Sequence, residues 1–268
     1  MGGATPAGEP WAGGARYEAY VGRWSRLVAR PFLAGLPVPR GSAWLDVGCG
    51  TGALTGEVLE TCAPASVLGV DPSADFLDSA AARVRDDRAS FRQGTAQALP
   101  VADGSVDAVV SGLVLNFVPD RRLALAEMRR TARSGGVVAA YAWDYAGQMQ
   151  LMRYFWDAAT ELDPAAAALD EGRRFLDCAP GPLHDLFAAG GLEDVAVEEI
   201  VVPTVFSDFD DYWAPFLGGT GPAPAYAVSL AEKHRSGLQE ALRARLPVGD
   251  DGSISLSARA WAVRGRCP

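Results

Sequence analysis

The sequence has 268 residues, of which 49% are hydrophobic, and a formal net charge of −9 at pH 7. This size and apolar content suit one large domain with a substantial core. The acidic balance argues against a nucleic-acid partner, since phosphate binding needs a basic face. No apolar run reaches about 18 residues, and no basic-then-apolar leader is present, so we predict neither a membrane segment nor a signal peptide.

The four cysteines and two histidines stand apart from one another along the chain, without a C-x-x-C pair or another metal-ligand spacing. This usage is typical of a reduced, cytoplasmic protein that binds no metal. The histidines, His184 and His234, fall in helical stretches away from the predicted strand ends, and we interpret both as non-catalytic.

The first stretch in chain order, residues 1–15, is rich in Gly, Ala and Pro, which predicts a disordered N-terminus. Residues 16–268 are expected to form a single domain. Within it, residues 16–36 carry aromatic and apolar residues at roughly helical spacing with arginines between them. The predicted helix either packs on the edge of the domain or acts as a lid over a ligand.

Residues 44–54 (WLDVGCGTGAL) predict a buried strand, a glycine turn and the start of a helix. Glycine permits the sharp turn and lets a ligand lie against bare backbone, at the N–H groups that open the helix. Gly48-x-Gly50-x-x-Ala53 satisfies the dinucleotide-binding fingerprint. Asp46, however, suits a ligand with a cationic amino group and is poorly placed beside a pyrophosphate.

A second buried strand, residues 66–70, ends in Asp71. A carboxylate at that strand end can accept hydrogen bonds from both hydroxyls of an adenosine ribose. The alternative is that Asp71 caps the next helix. Because the ribose is common to several nucleoside cofactors, Asp71 alone does not identify the ligand.

Residues 94–100 (GTAQALP) and 103–107 (DGSVD) distinguish a dinucleotide from other nucleoside cofactors. Together with residues 46–52 (DVGCGTG) and 133–137 (RSGGV), they resemble the class I S-adenosylmethionine (SAM) dependent methyltransferases. The similarity is to the type 11 group, which includes methyltransferases of ubiquinone and menaquinone biosynthesis. Two departures occur: Thr95 stands where the group usually has Asp, and Ser134 where it usually has Pro.

This resemblance covers roughly the first half of the chain. It implies an α/β, Rossmann-like, seven-stranded and mostly parallel sheet with helices on both faces and an antiparallel last strand. It also implies SAM as the cofactor and a lid segment in which Tyr20 and Arg23 contact it, with Arg23 pairing with the methionine carboxylate. The remaining cofactor residues that it implies are Asp46, Gly48, Cys49, Gly50, Asp71, Pro72, Thr95, Ala96, Gln97, Ser111 and Asn116.

The fifth predicted strand, residues 137–141, runs into Trp143-Asp144-Tyr145 at the edge where such sheets bind ligands. Asp144 and Tyr145 are therefore the candidate catalytic groups that touch the acceptor, the alternative being a polar loop. Farther on, residues 204–252 predict a helical cap inserted before the last strand. Its aromatic cluster, residues 206–216, is either core or an apolar acceptor pocket.

We expect a SAM-dependent methyltransferase that transfers the methyl group in line to an O, N or C nucleophile of a small, apolar or aromatic acceptor. The acceptor, its reacting atom, any general base and the oligomeric state stay open. One alternative is a SAM-binding module that does not methylate. A nicotinamide-dependent oxidoreductase is less favoured, because the chain has no Tyr-x-x-x-Lys pair and such enzymes have no use for residues 94–100.

Overall fold

A computed structural model describes residues 23–218 and 221–268. The predicted disordered stretch, residues 1–15, lies outside the described residues, as do Tyr20 and the first part of the predicted lid helix. None of the helices within the described ranges is long and apolar enough to cross a membrane.

The described residues contain seven strands: β1 (Ala43–Val47), β2 (Ser66–Asp71), β3 (Ala89–Gln93), β4 (Val106–Gly112), β5 (Ala132–Trp143), β6 (Glu193–Phe206) and β7 (Ile254–Arg266). They form one sheet in the order β3-β2-β1-β4-β5-β7-β6. The five strands from β3 to β5 are parallel to one another, and β7 is antiparallel to both β5 and β6. The predicted Rossmann-like sheet with an antiparallel last strand is confirmed.

Helices connect the strands and cover both faces of the sheet. They are α1 (Arg23–Ala34), α2 (Ala53–Thr61), α3 (Ala74–Arg83), α4 (Arg121–Thr131), α5 (Gln150–Leu162), α6 (Glu171–Arg174), α7 (Pro180–Ala189), α8 (Phe209–Trp213), α9 (Pro222–Ser229) and α10 (Glu232–Arg243). A 3-10 turn, Leu115–Phe117, follows β4. Side-chain caps start α3 and α4, where Ser73 accepts from the N–H of Phe76 and Asp120 from that of Leu123.

Successive residues of the central strands point to opposite faces of the sheet, and each face builds its own core. Trp44 and Val110 belong to one buried cluster, whereas their neighbours Leu45 and Val109 belong to the other. The strands are therefore apolar throughout, as expected of a sheet that helices cover on both sides.

The segment between β6 and β7, residues 207–253, carries α8, α9 and α10 at the carboxyl end of β6. The aromatic cluster, residues 206–216, is core, since Phe206, Tyr212 and Phe216 are fully buried. Phe216 stacks on Phe155 of α5 with ring centroids 4.4 Å apart. Of the two interpretations left open for the aromatic cluster, the structure supports packing.

The predicted helical cap, residues 204–252, is interrupted in its second half. The chain forms α9 and α10, separated by an extended Leu230. Arg235 stabilises the break, because its guanidinium donates to the carbonyl oxygens of Ala227 at 3.1 Å and Leu230 at 2.7 Å. The carbonyl oxygens at the end of a helix have no N–H partner within that helix. Here the side chain of Arg235 donates the hydrogen bonds that the helix cannot.

Candidate functional site

A cavity of about 290 Å³ lies at the carboxyl ends of β1, β2 and β4. This is the edge where open parallel sheets bind ligands. The strands contribute Asp46, Asp71 and Gly112, and the loops after each strand complete the walls. Ser25 of α1 also lines the cavity, so the first described helix borders the site.

The glycine turn after β1 forms one wall. Gly48 and Gly50 have φ of +73° and +52°, a conformation that side chains other than glycine rarely adopt. A Cβ atom on Gly48 would lie 2.6 Å from Cγ1 of Val114, whereas nothing lies within 4 Å of one on Gly50. The N–H groups of Gly48 and Cys49 donate to the carbonyl oxygen of Val70 at 2.7 and 3.1 Å. The turn is thus fixed to β2 and leaves bare backbone at Gly50.

Asp46 lies in β1 with its side chain buried. Its Oδ2 accepts from the hydroxyl of Thr55 at 2.7 Å, while Oδ1 is buried with no hydrogen-bond partner. Burial raises the pKa of Asp46 to about 7; the bond from Thr55 opposes this rise, and the charge of Asp71 adds to it. An unpaired, buried carboxylate oxygen at a cavity wall favours a ligand that carries a donor or a positive charge.

Asp71 ends β2, on the adjacent strand. Its Oδ2 accepts from the N–H of Gly50 at 3.0 Å, and its Oδ1 accepts from the N–H of Ser73 at 2.9 Å. Burial raises the pKa of Asp71, and these two backbone bonds oppose the rise. The helix cap of α3 is Ser73 and not Asp71, so the capping alternative for Asp71 is wrong.

The opposite wall consists of the residues after β4 together with Tyr141 of β5. Leu113 has a φ of +61°, which is unusual for a residue with a side chain. Its N–H donates to the carbonyl oxygen of Tyr141 at 2.8 Å. Val114 and Phe117 complete this wall. Sequence reasoning missed these cavity residues, because apolar side chains at a strand end resemble ordinary core.

The predicted cofactor residues after β3 lie beside the cavity and not in its lining. Thr95, Ala96 and Gln97 follow β3, and the preceding Gly94 donates its N–H to the backbone oxygen of Asp71 at 3.1 Å. The segment is therefore next to the end of β2. Contact of these three residues with a cofactor stays a prediction.

Two further predicted cofactor residues, Ser111 and Asn116, are buried outside the cavity lining. The hydroxyl of Ser111 donates to the carbonyl oxygen of Val47 at 2.9 Å and so joins β4 to the end of β1. Asn116 is different, because neither Nδ2 nor Oδ1 of its side chain has a hydrogen-bond partner. Pro72 and Cys49, by contrast, do line the cavity.

Arg23 does not line the cavity. Its Nη1 donates to Oδ1 of Asp211 at 2.9 Å. Its guanidinium carbon lies 4.4 Å from the ring centre of Trp24 and 4.7 Å from that of Phe206. The structure therefore gives Arg23 an acidic partner in the cap segment in place of the expected ligand carboxylate. Tyr20, its predicted companion, is outside the described residues.

The candidate catalytic residues Asp144 and Tyr145 also lie outside the cavity lining. Asp144 is buried, and its Oδ2 accepts from Nη2 of Arg259 at 2.7 Å and from the N–H of Gln148 at 2.8 Å. Tyr145 is buried against Phe175, with ring centroids 5.1 Å apart. These contacts shape the loop after β5, so the geometry argues against the predicted catalytic role of either residue.

The charge of the cavity is negative. Asp46 and Asp71 line it, and within the described ranges no lysine, arginine or histidine does. A cationic ligand balances two partly desolvated carboxylates, whereas a pyrophosphate would be repelled by them. The sulfonium and ammonium groups of SAM therefore fit this site. No group of three or more potential metal ligands occurs in the described part of the chain.

Residues 45–140 match the family model of a methyltransferase domain, type 11. A demethylmenaquinone methyltransferase of Roseiflexus sp. (strain RS-1) is 39% identical over 95 residues, which are 35% of this chain and 40% of that protein. The chain therefore spans well under half the length of this curated relative. Residues 45–140, which the family model matches, contain the glycine turn, Asp46, Asp71 and the cavity residues that follow β4.

Solved structures resemble nearly the whole chain. Phosphoethanolamine N-methyltransferase 2 of Haemonchus contortus, in complex with phosphomonomethylethanolamine and S-adenosylhomocysteine, aligns over 95% of this chain and 56% of its own, with 16% identity and a TM-score of 0.57. A (4+2)-cyclase aligns over 92% of this chain and 81% of its own, with 20% identity and a TM-score of 0.54. These likenesses show the fold. Residues 45–140 of the chain therefore form a methyltransferase domain of type 11.

Proposed function

We propose that the protein transfers the methyl group of SAM to an O, N or C nucleophile of a small organic acceptor. One observation carries the proposal: two buried carboxylates, Asp46 and Asp71, end adjacent parallel strands in a cavity whose described lining has no basic residue. That charge pattern matches a cationic nucleoside and opposes an anionic dinucleotide. The family to which residues 45–140 belong supports the same cofactor.

Each carboxylate has a separate task in this proposal. Asp71, held by the N–H groups of Gly50 and Ser73, accepts hydrogen bonds from the ribose hydroxyls with its remaining lone pairs. Asp46, oriented by Thr55, presents its unpaired Oδ1 to the cationic amino group. Gly48 and Gly50 let the cofactor lie against the backbone at the N-terminus of α2.

When bound, SAM supplies a methyl group that is already activated by the positive sulfur. The acceptor atom would form a bond to this methyl carbon as the carbon–sulfur bond breaks, and the electron pair of the broken bond would stay on sulfur. The chain's own contribution is to align the acceptor and to exclude water. The walls suit that role, because Leu113, Val114, Phe117 and Tyr141 are apolar or aromatic.

A dedicated base is not part of the proposal. His184 and His234 are both exposed, and neither lines the cavity. Asp144 is bonded to Arg259. An acceptor that ionises readily, or an activated carbon, needs no protein base; a neutral O or N acceptor would release its proton to water.

A SAM-binding protein that does not methylate is the second candidate. One observation favours it: the structural neighbours include a (4+2)-cyclase, so this fold is also found in a protein named for another reaction. Such a protein would keep every cofactor residue described above. The two candidates differ only in turnover.

Calorimetric titration with SAM, S-adenosylhomocysteine and NAD tests the cofactor. We expect binding of the first two and none of NAD. Asp71→Asn should weaken SAM binding about tenfold to a hundredfold, because charge-assisted bonds contribute roughly 1.5–3 kcal/mol each. The exposed Asp78→Asn of α3 is the control and should leave the affinity unchanged.

Binding of NAD in preference to SAM would contradict the proposal, as would an unchanged SAM affinity in Asp71→Asn. If SAM binds as expected, release of S-adenosylhomocysteine across a panel of small acceptors separates the two candidates. Turnover with any acceptor excludes the non-methylating one.

A further inference from the structure

The amino-acid end of SAM carries a carboxylate as well as an ammonium group, and the lining of the cavity suits the ammonium group alone. Asp46 lines the cavity and has a buried, unpaired oxygen that can bind a cation. Among the residues that the structure describes, no lysine, arginine or histidine lines the cavity. Arg23, the expected partner of the carboxylate, is bonded to Asp211. The carboxylate of SAM would therefore lie beside acids unless a cation outside the lining acts on it.

The place of this carboxylate follows from the position of Asp46. Oδ2 of Asp46 accepts from the hydroxyl of Thr55, in the first turn of α2, at 2.7 Å. An ammonium group bound at Asp46 thus lies near the start of α2, and the carboxylate, attached to the same carbon atom of the ligand, lies there too. This helix has no side-chain cap at Gly52 and no acid in its first turn, which favours an anion. Thr51 and Ala53 line the cavity at this point.

A cation reaches this end of the cavity from the neighbouring helix, α3. The end of α3 packs on the glycine turn, since a Cβ atom on Gly52 would lie 3.0 Å from Cγ2 of Val84 and 3.2 Å from Cβ of Ala80. This packing holds Arg83 beside the turn, where its Nη1 donates to Oγ1 of Thr51 at 3.3 Å. Because Oγ1 accepts this bond, the hydroxyl proton of Thr51 can be donated to a further group.

Arg85, two residues farther along the chain, provides a comparison. Arg83 and Arg85 both line an outer groove of about 400 Å³ between α1, α2 and the end of α3, and both are exposed. Nε of Arg85 donates to the carbonyl oxygen of Ala82 at 3.3 Å, whereas Arg83 donates to Thr51 of the ligand cavity. The two arginines therefore bring the same charge to the same groove, but they differ in their contact with the cavity wall.

We infer that Arg83 is a positioning residue which, through its bond to Thr51, directs and polarises the hydroxyl of that threonine toward the carboxylate of SAM, and so selects cofactors that carry this carboxylate. This inference rests on the proposed methyltransferase function. Thr51 touches the ligand, and Arg83 acts through it. The site is then dipolar, with acids at the ends of β1 and β2 and a polarised donor at the start of α2. This arrangement matches the two opposite charges of an α-amino acid.

Decarboxylated SAM is the probe, because it lacks only the carboxylate and therefore has a higher net positive charge than SAM. By the charges of the lining alone, Asp46 and Asp71 would favour this probe. We expect the opposite result, with SAM bound at least about tenfold more tightly in calorimetric titrations. In Arg83→Met this affinity ratio should fall by about threefold to tenfold, through weaker binding of SAM and not of the probe.

Three further variants test whether Arg83 acts through Thr51. Thr51→Val removes the hydroxyl but keeps the shape of the side chain, and it should lower the ratio at least as much as Arg83→Met. The double variant should lose no more than about twofold beyond Thr51→Val, because the two residues act on one bond. Arg85→Met is the matched control and should leave the ratio unchanged. Since both arginines are exposed, neither arginine variant should change the melting temperature.

Four results overturn the inference alone: equal or tighter binding of decarboxylated SAM by the unmodified protein, an unchanged ratio in Arg83→Met, additive losses in the double variant, or an equal fall of the ratio in Arg85→Met. The last result would mean that the arginines attract the carboxylate from a distance and not through Thr51. Titration of the unmodified protein with SAM comes first. If SAM does not bind, the proposed function fails, and this inference fails with it.

Discussion

Replacing Asp46 with asparagine should stabilise the protein without cofactor and weaken its binding of SAM. Burial raises the pKa of this carboxyl from its ordinary value of 3.8 to about 7. A carboxyl with a raised pKa binds its proton more tightly in the folded state, so its ionisation opposes folding. The loss of stability begins as the pH rises above the unfolded value and is complete above the folded value.

The size of this pKa shift determines the expected change in the free energy of unfolding. A difference of about three pKa units costs about 4 kcal/mol above pH 7, at about 1.4 kcal/mol per unit. At pH 5 the folded carboxyl is protonated, and the cost falls to about 2 kcal/mol. An asparagine at this position has no charge to desolvate, while its side-chain oxygen can still accept from Thr55. For a chain of this length, about 4 kcal/mol corresponds to a rise in melting temperature of about 8 °C.

Melting curves of Asp46→Asn and of the unmodified protein at pH 5 and pH 8, without ligand, provide the assay. The variant should melt higher at both, with the larger gap at pH 8, and the exposed Asp78→Asn should not differ from the parent. Calorimetry at pH 8 should show about tenfold or greater loss of SAM affinity, because the cationic amino group loses its carboxylate. A gap that does not shrink toward pH 5, or an unchanged SAM affinity, would refute the reasoning.

Two further predictions concern the turn and the loop. Gly48→Ala should abolish measurable SAM binding, because its Cβ would meet Val114 at 2.6 Å; Gly41→Ala has a similar φ of +78° but nothing within 4 Å, and calorimetry should show normal affinity. Asp144→Asn should lower the free energy of unfolding by about 1–3 kcal/mol in denaturant titrations, because it removes one of the two carboxylates that pair with the largely buried guanidinium of Arg259, the other being that of Glu199. The affinity of the folded variant for S-adenosylhomocysteine should be unchanged, and a large loss would instead favour a direct role of Asp144 in the site.

The first half of the fold could be predicted from sequence because local signals agree there. Apolar runs of five or six residues end in an acid or a glycine, and each is followed by a helical pattern. The strands over residues 43–47 and 66–71 lie where the sequence places them, and so does the helix that begins at Ala53. The end of each strand then locates Asp46 and Asp71, since parallel strands bring their carboxyl ends to one edge.

The second half was harder to predict because its structure depends on contacts between distant residues. No local sequence pattern predicts that the guanidinium of Arg235 binds the carbonyl oxygens at the end of α9. Nor does one predict that Arg23 pairs with Asp211, 188 positions away. The same limit applies to Asp144. In the sequence, a carboxylate that follows a strand end suggests a catalytic role. In the structure, this carboxylate is paired with Arg259, which belongs to β7.

Several features near the cavity carry a local cost in stability. Leu113 has a left-handed backbone, Oδ1 of Asp46 is buried and unpaired, and both polar atoms of Asn116 lack partners. Burial also favours the neutral form of Asp71. Selection for stability alone would replace a left-handed leucine or a buried, unpaired carboxylate oxygen, so the presence of Leu113 and Asp46 in one cavity lining argues that a ligand binds there. The two hydrophobic cores, one on each face of the sheet, stabilise the fold. This stability offsets the cost of the unpaired groups at the strand ends.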